Sequence, residues 1–108
     1  MSHVGEVGKI LIVDDNPANV RLLEINLRAA GYATETASDG EEALQKVAAV
    51  NPDLILLDVM MPKMDGYEVC RRLRADEATS VIPVVMITAL KDSEDRIRGL
   101  DCGAVRLI

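Results

Sequence analysis

The sequence ILLDVMMPKMDG, residues 55–66, begins as an apolar run and ends in a turn. A run of branched apolar residues is typical of a strand that is covered on both faces. An ionised aspartate is among the residues that such a strand tolerates least, so we expect Asp58 to lie where the strand ends. Pro62 and Gly66 then mark the loop that follows. The segment predicts a buried strand that presents one carboxylate at its end.

Strand and helix patterns alternate on both sides of this segment. The predicted strands are KILIV at 9–13, ATETA at 33–37, DLILL at 53–57 and PVVMIT at 83–88. The first predicted helix has Asn16 as its N-cap and Pro17 in its first turn, and Gly31 ends it. The apolar face of this helix carries Val20, Leu23, Leu27 and Ala30.

Three further helices complete the alternation. Ser38 or Asp39 caps the second helix, which runs to about Val50. The third bears Val69, Cys70 and Leu73, and the fourth begins at Asp92 or Ser93 and ends at Gly103. Short connections between alternating strands and helices imply right-handed crossovers. We therefore predict one α/β domain, a parallel sheet with helices on both faces.

Length and composition describe a soluble globular domain. The chain has 108 residues, of which 49% are hydrophobic and 28% charged, enough for one core. No apolar run reaches the roughly 18 residues of a membrane span, and the N-terminus lacks a secretory leader, so we expect a cytoplasmic protein. Residues 1–8, MSHVGEVG, read as a flexible leader, and they contain the single histidine, His3.

Charge and cysteine usage exclude other classes. The net charge of −6 disfavours nucleic acid as a direct ligand, because phosphate contacts need clustered basic residues. The nearest approach to a basic patch, Arg71, Arg72 and Arg74, is better explained as a solvated helix surface. Cys70 and Cys102 lack metal-ligand or redox spacing, so we interpret both as reduced, small hydrophobic residues.

Polar groups collect at the predicted strand ends. Asp14 and Asp15 follow the first strand, Asp58 follows the third, and Thr88 with Ala89 follows the fourth. In an open parallel sheet, ligands bind beyond the carboxyl ends of the strands. Carboxylates that lie close together repel one another unless a cation is present. The strand ends therefore predict a cation site.

Mg²⁺ suits this site because it prefers oxygen ligands and keeps several waters, with Mn²⁺ as a substitute. Zinc is disfavoured, since no histidine or cysteine lies at these strand ends. A carboxylate pocket that holds Mg²⁺ can also neutralise an incoming phosphoryl group. The first strand runs into DDNPAN and not into a glycine-rich phosphate loop, so the phosphoryl donor is another protein or a small phosphodonor rather than a nucleotide.

Four segments together resemble the receiver domain of bacterial two-component response regulators. They are ILIVDDNPANVRLLE, LILLDVMMPKMDG, the TA after the fourth strand and GLDCGA. The resemblance covers residues 9–108 and implies a flavodoxin-like sheet with strand order 2-1-3-4-5. It also implies phosphorelay signalling, in which a sensor histidine kinase or phosphotransfer protein gives a phosphoryl group to the domain. Phosphorylation then switches a protein-interaction surface or an output domain. By the same resemblance the domain is not a turnover enzyme.

The same resemblance assigns roles to individual residues. Asp58 corresponds to the phospho-acceptor. Asp15 corresponds to a direct Mg²⁺ ligand, Asp14 to one that binds through water, and Met60 to a ligand through its backbone carbonyl. Thr88 corresponds to the switch hydroxyl, and Ala89 to the small residue that keeps the site open.

The chain departs from the family pattern at its end. It stops at VRLI, before the family's phosphate-binding lysine, and Leu107 stands where a switch aromatic is usual. We expect a shortened fifth strand, no fifth helix, and self-association through the apolar surface left exposed. Two alternatives stay open: a pseudo-receiver that binds a partner without phosphorylation, and a Mg²⁺-dependent phosphotransferase or phosphatase, which lacks a general acid or base.

Overall fold

A computed structural model describes residues 8–87 and the backbone of residues 106–107. In chain order its elements are β1 Lys9–Val13, α1 Pro17–Ala29, β2 Ala33–Ala37, α2 Gly40–Val50, β3 Leu54–Asp58, α3 Gly66–Ala75, β4 Val84–Ile87 and β5 Arg106–Leu107. The four predicted strands and the first three predicted helices are confirmed, and their ends differ by about one residue. The predicted fourth helix and residues 1–7 of the predicted leader lie outside the described residues.

The strands form one sheet in the order β2-β1-β3-β4-β5, and every neighbouring pair is parallel. The expected order is therefore confirmed, and the fifth strand is short, as expected. The register pairs Val13 with Ala37 and with Leu57, and Asp58 with Ile87. Because the strands end in line, the loops that follow β1 and β3 leave the sheet at one edge.

The helices lie on both faces of the sheet, as predicted. The chain crosses from β1 to β2 in one direction, and from β2 to β3 and on to β4 in the other. Right-handed crossovers that run in opposite directions place their helices on opposite faces. α1 therefore covers one face, while α2 and α3, which contact each other, share the other.

The main core lies between the sheet and the pair α2 and α3. Leu11 and Val13 belong to this buried cluster, whereas Ile10 and Ile12 are buried outside it, since successive side chains of a strand point to opposite faces. α3 has the larger buried share of the two helices. Its buried residues are Gly66, Tyr67, Val69, Cys70 and Leu73.

α1 packs less closely on its own face of the sheet. None of its residues is buried, and the side chains of Leu22 and Ile25 are 60% and 59% exposed. Ala30, the last member of the predicted apolar face, is exposed, because it is the C-cap and follows the last residue of the helix. The other members of that face, Val20, Leu23 and Leu27, are half-buried.

The predicted basic surface on α3 divides into two parts. Glu68 binds both Arg71 and Arg72, with nitrogen–oxygen distances of 2.8 Å in each pair. Arg74 instead donates hydrogen bonds to the carbonyls of Ser80 and Ile82, at 3.0 and 2.9 Å. Glu68 or a backbone carbonyl thus binds each of the three guanidinium groups, so this surface of α3 is not a basic patch.

The described residues also bear on the predictions about the cysteines and about membrane spans. Cys70 is buried in the main core, whereas Cys102 lies outside the described residues. Within the described part of the chain, no helix combines the length and the apolar character needed to cross a membrane.

Candidate functional site

Three of the predicted site residues meet at the carboxyl edge of the sheet. Asp14 follows β1 directly, and Asp58 is the last residue of β3, the strand next to β1. Asp14, Asp15 and Asp58 each offer one carboxylate oxygen, and these oxygens lie within 4.8 Å of one another. Asp14 is buried, Asp58 is half-buried and Asp15 is exposed. The cluster is therefore open to solvent on one side.

Asp14 is held at several atoms. Its backbone N–H donates to the carbonyl of Ala37 on β2 at 3.1 Å. Its carboxylate accepts hydrogen bonds at both oxygens: Oδ1 from the backbone N–H of Asn16 at 2.9 Å and Oδ2 from the Asn19 side-chain amide at 3.4 Å. Asn19 is not among the site residues predicted from the sequence. Its position in the first turn of the helix that follows the paired acids was the available signal.

Asp58 has an unusually high pKa for an aspartate. The pKa of Asp58 is raised from 3.8 to about 6, and burial of the carboxyl group is the largest cause. The charges of Asp14 and Asp15 contribute to this rise, whereas the backbone N–H of Met60, which donates to Asp58 Oδ1 at 3.1 Å, opposes it. A cation among the three carboxylates would offset this cost, because it favours their ionised forms.

The loop after Asp58 brings α3 close to the end of β3. The N–H of Gly66 donates to the carbonyl of Val59 at 3.0 Å. A Cβ atom at Gly66 would lie 2.5 Å from the Asp58 carbonyl oxygen and 2.9 Å from Val59 Cα. The loop also turns at Lys63, whose φ of 70° lies in the left-handed region. Gly66 is thus required by close packing of the backbone and not by a left-handed φ.

The three methionines of this loop have different environments. Met61 and Met64 are 8% and 9% exposed and belong to the main core, whereas Met60 is 59% exposed. Met64 also lies against the start of α2, because a Cβ atom at Gly40 would come within 2.9 Å of Met64 Cβ and Sδ. The loop is therefore anchored by two methionines and presents the third to solvent.

An open groove with a volume of about 360 Å³ adjoins the acids. It lies between the start of α1 and the segment that joins β2 to α2, and Arg21, Thr36 and Ser38 contribute to its walls. The groove gives solvent a route to Asp14 and Asp15. The remaining predicted site residues, Thr88 and Ala89, lie outside the described residues.

The donor set fits a hard divalent cation. Among the described residues the cluster contains carboxylates and neither histidine nor cysteine, which favours Mg²⁺ or Mn²⁺ over zinc. Ligands on opposite sides of Mg²⁺ are about 4.2 Å apart, twice the usual metal–oxygen distance. The three carboxylate oxygens, all within 4.8 Å of one another, are therefore close enough to share one such ion.

Known proteins share both the sequence and the fold. The sequence model of the response regulator receiver domain matches residues 10–108. The response regulator PleD of Caulobacter vibrioides is 58% identical over 96 residues, which cover 89% of this chain and 21% of PleD. The DNA-binding dual master transcriptional regulator RpaA of Synechocystis is 51% identical and is covered to 40%. The chain thus spans between a fifth and two-fifths of these relatives.

A solved structure gives the same result. The chemotaxis protein CheY4 of Vibrio cholerae superposes with a TM-score of 0.91 and 34% identity, and the match covers 95% of this chain and 86% of that protein. The predicted family and its flavodoxin-like sheet are confirmed. With its acids gathered at the sheet edge and its sequence matched over nearly all its length, the chain belongs to the response regulator receiver domain family.

Proposed function

We propose that this chain accepts a phosphoryl group on Asp58 in a Mg²⁺-dependent reaction, with residues 9–108 as the receiver domain. The proposal rests on one observation: three carboxylates from two neighbouring strands lie within 4.8 Å at the sheet edge. Receiver domains of response regulators are signalling modules that interact with histidine kinases or phosphotransfer proteins. The donor that we propose is the phosphohistidine of such a protein.

In the proposed reaction a carboxylate oxygen of Asp58 attacks phosphorus. The new oxygen–phosphorus bond forms as the nitrogen–phosphorus bond breaks, and the histidine ring, protonated on its other nitrogen, leaves as neutral imidazole with the electron pair of the broken bond. The backbone N–H of Met60 holds Asp58 Oδ1 at 3.1 Å, which leaves Oδ2 as the attacking atom. The rise in the pKa of Asp58 to about 6 still leaves the carboxylate mostly ionised at neutral pH.

The neighbouring acids have a different role. Asp14 and Asp15 would hold Mg²⁺, Asp14 through water and Asp15 directly, together with Asp58 and the backbone carbonyl of Met60. When bound, the ion neutralises charge that builds up on the transferring phosphoryl oxygens. Mn²⁺ would serve in its place, since it also favours carboxylate, carbonyl and water ligands.

The proposed output is a change of surface. A phosphoryl group adds about −1.5 to −2 charges at pH 7. This charge would lie next to carboxylates that already repel one another. Thr88 would respond as the switch hydroxyl, and Ala89 would leave room for the phosphoryl group. The change would be read by a partner protein or by an output domain of a longer chain.

The test measures metal binding first and phosphoryl acceptance second. Calorimetric titration with Mg²⁺ should show one site, and beryllofluoride or acetyl phosphate should then modify the protein only when Mg²⁺ is present. Asp58→Asn should abolish the modification. Glu41→Gln is the matched control, because it removes one negative charge from an exposed acid on α2, outside the cluster.

The outcomes separate the open alternatives. Modification that depends on Mg²⁺ and Asp58, and is unaffected in Glu41→Gln, supports the proposal. A native protein that binds Mg²⁺ weakly or not at all and stays unmodified would instead act as a pseudo-receiver, a binding module that needs no phosphorylation. Repeated turnover of the phosphodonor without a modified protein would point to a phosphotransferase or phosphatase.

A further inference from the structure

The two paired acids differ in how firmly they are held. The Asp14 carboxylate is 7% exposed and accepts one hydrogen bond at each oxygen, from Asn16 and from Asn19. Asp15 is exposed, and no hydrogen bond within residues 8–87 holds its carboxylate. Asp14 is thus a fixed member of the cluster and Asp15 an adjustable one.

The donors to Asp14 are of different kinds. The bond to Oδ1 comes from the backbone of Asn16, which any residue except proline would provide. The bond to Oδ2 comes from the side-chain amide of Asn19, one turn into α1, at 3.4 Å. A change of side chain therefore removes the second bond while it leaves the first in place.

We propose that Asn19 is a positioning residue, which sets the affinity of the acid cluster for Mg²⁺ by holding the Asp14 carboxylate in line with Asp15 and Asp58. The inference rests on the proposed function and adds to it a residue that supports one of the acids. Asn19 does not touch the phosphoryl group; it acts through Asp14.

The physical reason is the mutual repulsion of the acids. Three carboxylates within 4.8 Å favour rotamers that move them apart when no cation is bound. A donor on Asp14 Oδ2 opposes that movement, and because an amide is neutral it does not compete with the cation for charge. Without the amide, the ion must first bring Asp14 back, which reduces the observed affinity.

The substitution Asn19→Leu tests this idea, because leucine has a similar shape and no donor. Since leucine is a better helix former than asparagine and Asn19 is exposed on α1, the fold should be retained. We expect the dissociation constant for Mg²⁺, measured by calorimetry, to increase about threefold to tenfold, the loss of one net hydrogen bond. Asn19→Gln, which keeps the amide, should restore most of the affinity.

Asn26→Leu is the matched control, because it makes the same change on the same helix at an exposed position away from the cluster. A second readout separates positioning from general damage: at saturating Mg²⁺, Asn19→Leu should take up beryllofluoride to the native extent. A general disturbance of the fold would lower this uptake as well.

The results distinguish this inference from the function on which it rests. Native binding, weaker binding in Asn19→Leu and recovery in Asn19→Gln support the role of Asn19. Equal affinities of the native protein and Asn19→Leu overturn that role and leave the proposed function standing. If the native protein binds no Mg²⁺ at all, both are rejected.

Discussion

α3 and α1 are similar in length but are held to the sheet differently. α3 buries five of its ten residues, whereas α1 buries none of its thirteen. The largest apolar side chains of α1, Leu22 and Ile25, are more than half exposed, while Val69, Cys70 and Leu73 of α3 are almost fully enclosed. The two helices also serve the site differently, because α3 begins beside Asp58 and α1 begins beside Asp14 and Asp15.

The two helices therefore contribute unequally to the stability of the fold. Burial of apolar area is the dominant favourable contribution to folding, so most of the stability of the described fold comes from the face covered by α2 and α3. α1 adds less, and its contribution to the site is the Asn19 side-chain amide that donates to Asp14. We expect substitutions on the two helices to differ accordingly.

The largest effect should come from α3. Leu73→Ala removes a side chain that is 2% exposed, and we expect the free energy of unfolding to fall by about 2–5 kcal/mol. Leu22→Ala on α1 should change it by less than about 0.5 kcal/mol, as is usual for surface positions. Chemical denaturation of both variants measures the contrast, and equal losses would show that α1 contributes as much as α3.

The start of α3 should be nearly as sensitive. Gly66→Ala places a Cβ atom 2.5 Å from the Asp58 carbonyl oxygen, and overpacking of this kind costs about 1–3 kcal/mol. Because the atom that must move belongs to Asp58, Mg²⁺ affinity should fall as well. Gly40→Ala is the control: its new Cβ atom meets the side chains of Met64 and Val69 at 2.9 Å, so it should also lower stability, but it displaces no atom of Asp58 and should leave Mg²⁺ affinity native. A Gly66→Ala protein with native stability and Mg²⁺ affinity would contradict the close packing.

A smaller effect should follow from the titration of Asp58. Since its pKa rises from 3.8 to about 6 on folding, the folded state binds more protons than the unfolded state between these values. The free energy of unfolding in EDTA should therefore fall as pH rises from about 4 to about 6. Asp58→Asn should lack this component, and Mg²⁺ should reduce it in the native protein. Identical pH profiles of the native and Asp58→Asn proteins in EDTA would refute the assignment.

The smallest effect on stability should come from the exposed face of α1. The double substitution of Leu22 and Ile25 by glutamine should leave the free energy of unfolding within about 0.5 kcal/mol of native. It should nevertheless reduce concentration-dependent self-association, measured by analytical ultracentrifugation, because it removes two adjacent exposed apolar side chains. Association that is unchanged by the substitution would place the contact elsewhere on the surface.

Most of the fold was accessible from the sequence because its signals are local. The run before Asp58 predicted β3, and Asn16 with Pro17 predicted the start of α1; both are observed. The meeting of Asp14, Asp15 and Asp58 also followed from the sequence, since parallel strands end at one edge. The strand order came from the family resemblance and not from the periodic pattern.

The remaining features depend on contacts between distant segments. The apolar spacing of α1 leaves Leu22 and Ile25 off its predicted face, and both are exposed. It does not reveal that Val20, Leu23 and Leu27 on that face are only half-buried, because coverage depends on what packs against the helix. Arg74 has the same charge as Arg71 and Arg72, yet it binds the carbonyls of Ser80 and Ile82. The partners of such a side chain depend on the path of a distant loop, so they cannot be predicted from the spacing of residues along the helix.

The uneven burial of the loop methionines provides a spectroscopic opportunity. A methionine methyl group gives a sharp nuclear magnetic resonance signal, and three such groups flank the phospho-acceptor in distinct surroundings: Met60 in solvent, Met61 and Met64 in the core. Met86 on β4, which is fully buried, supplies an internal reference. Isotope-labelled methionine would therefore let the protein, without any substitution, report ion binding, phosphorylation and movement of α2 as separate changes of chemical shift.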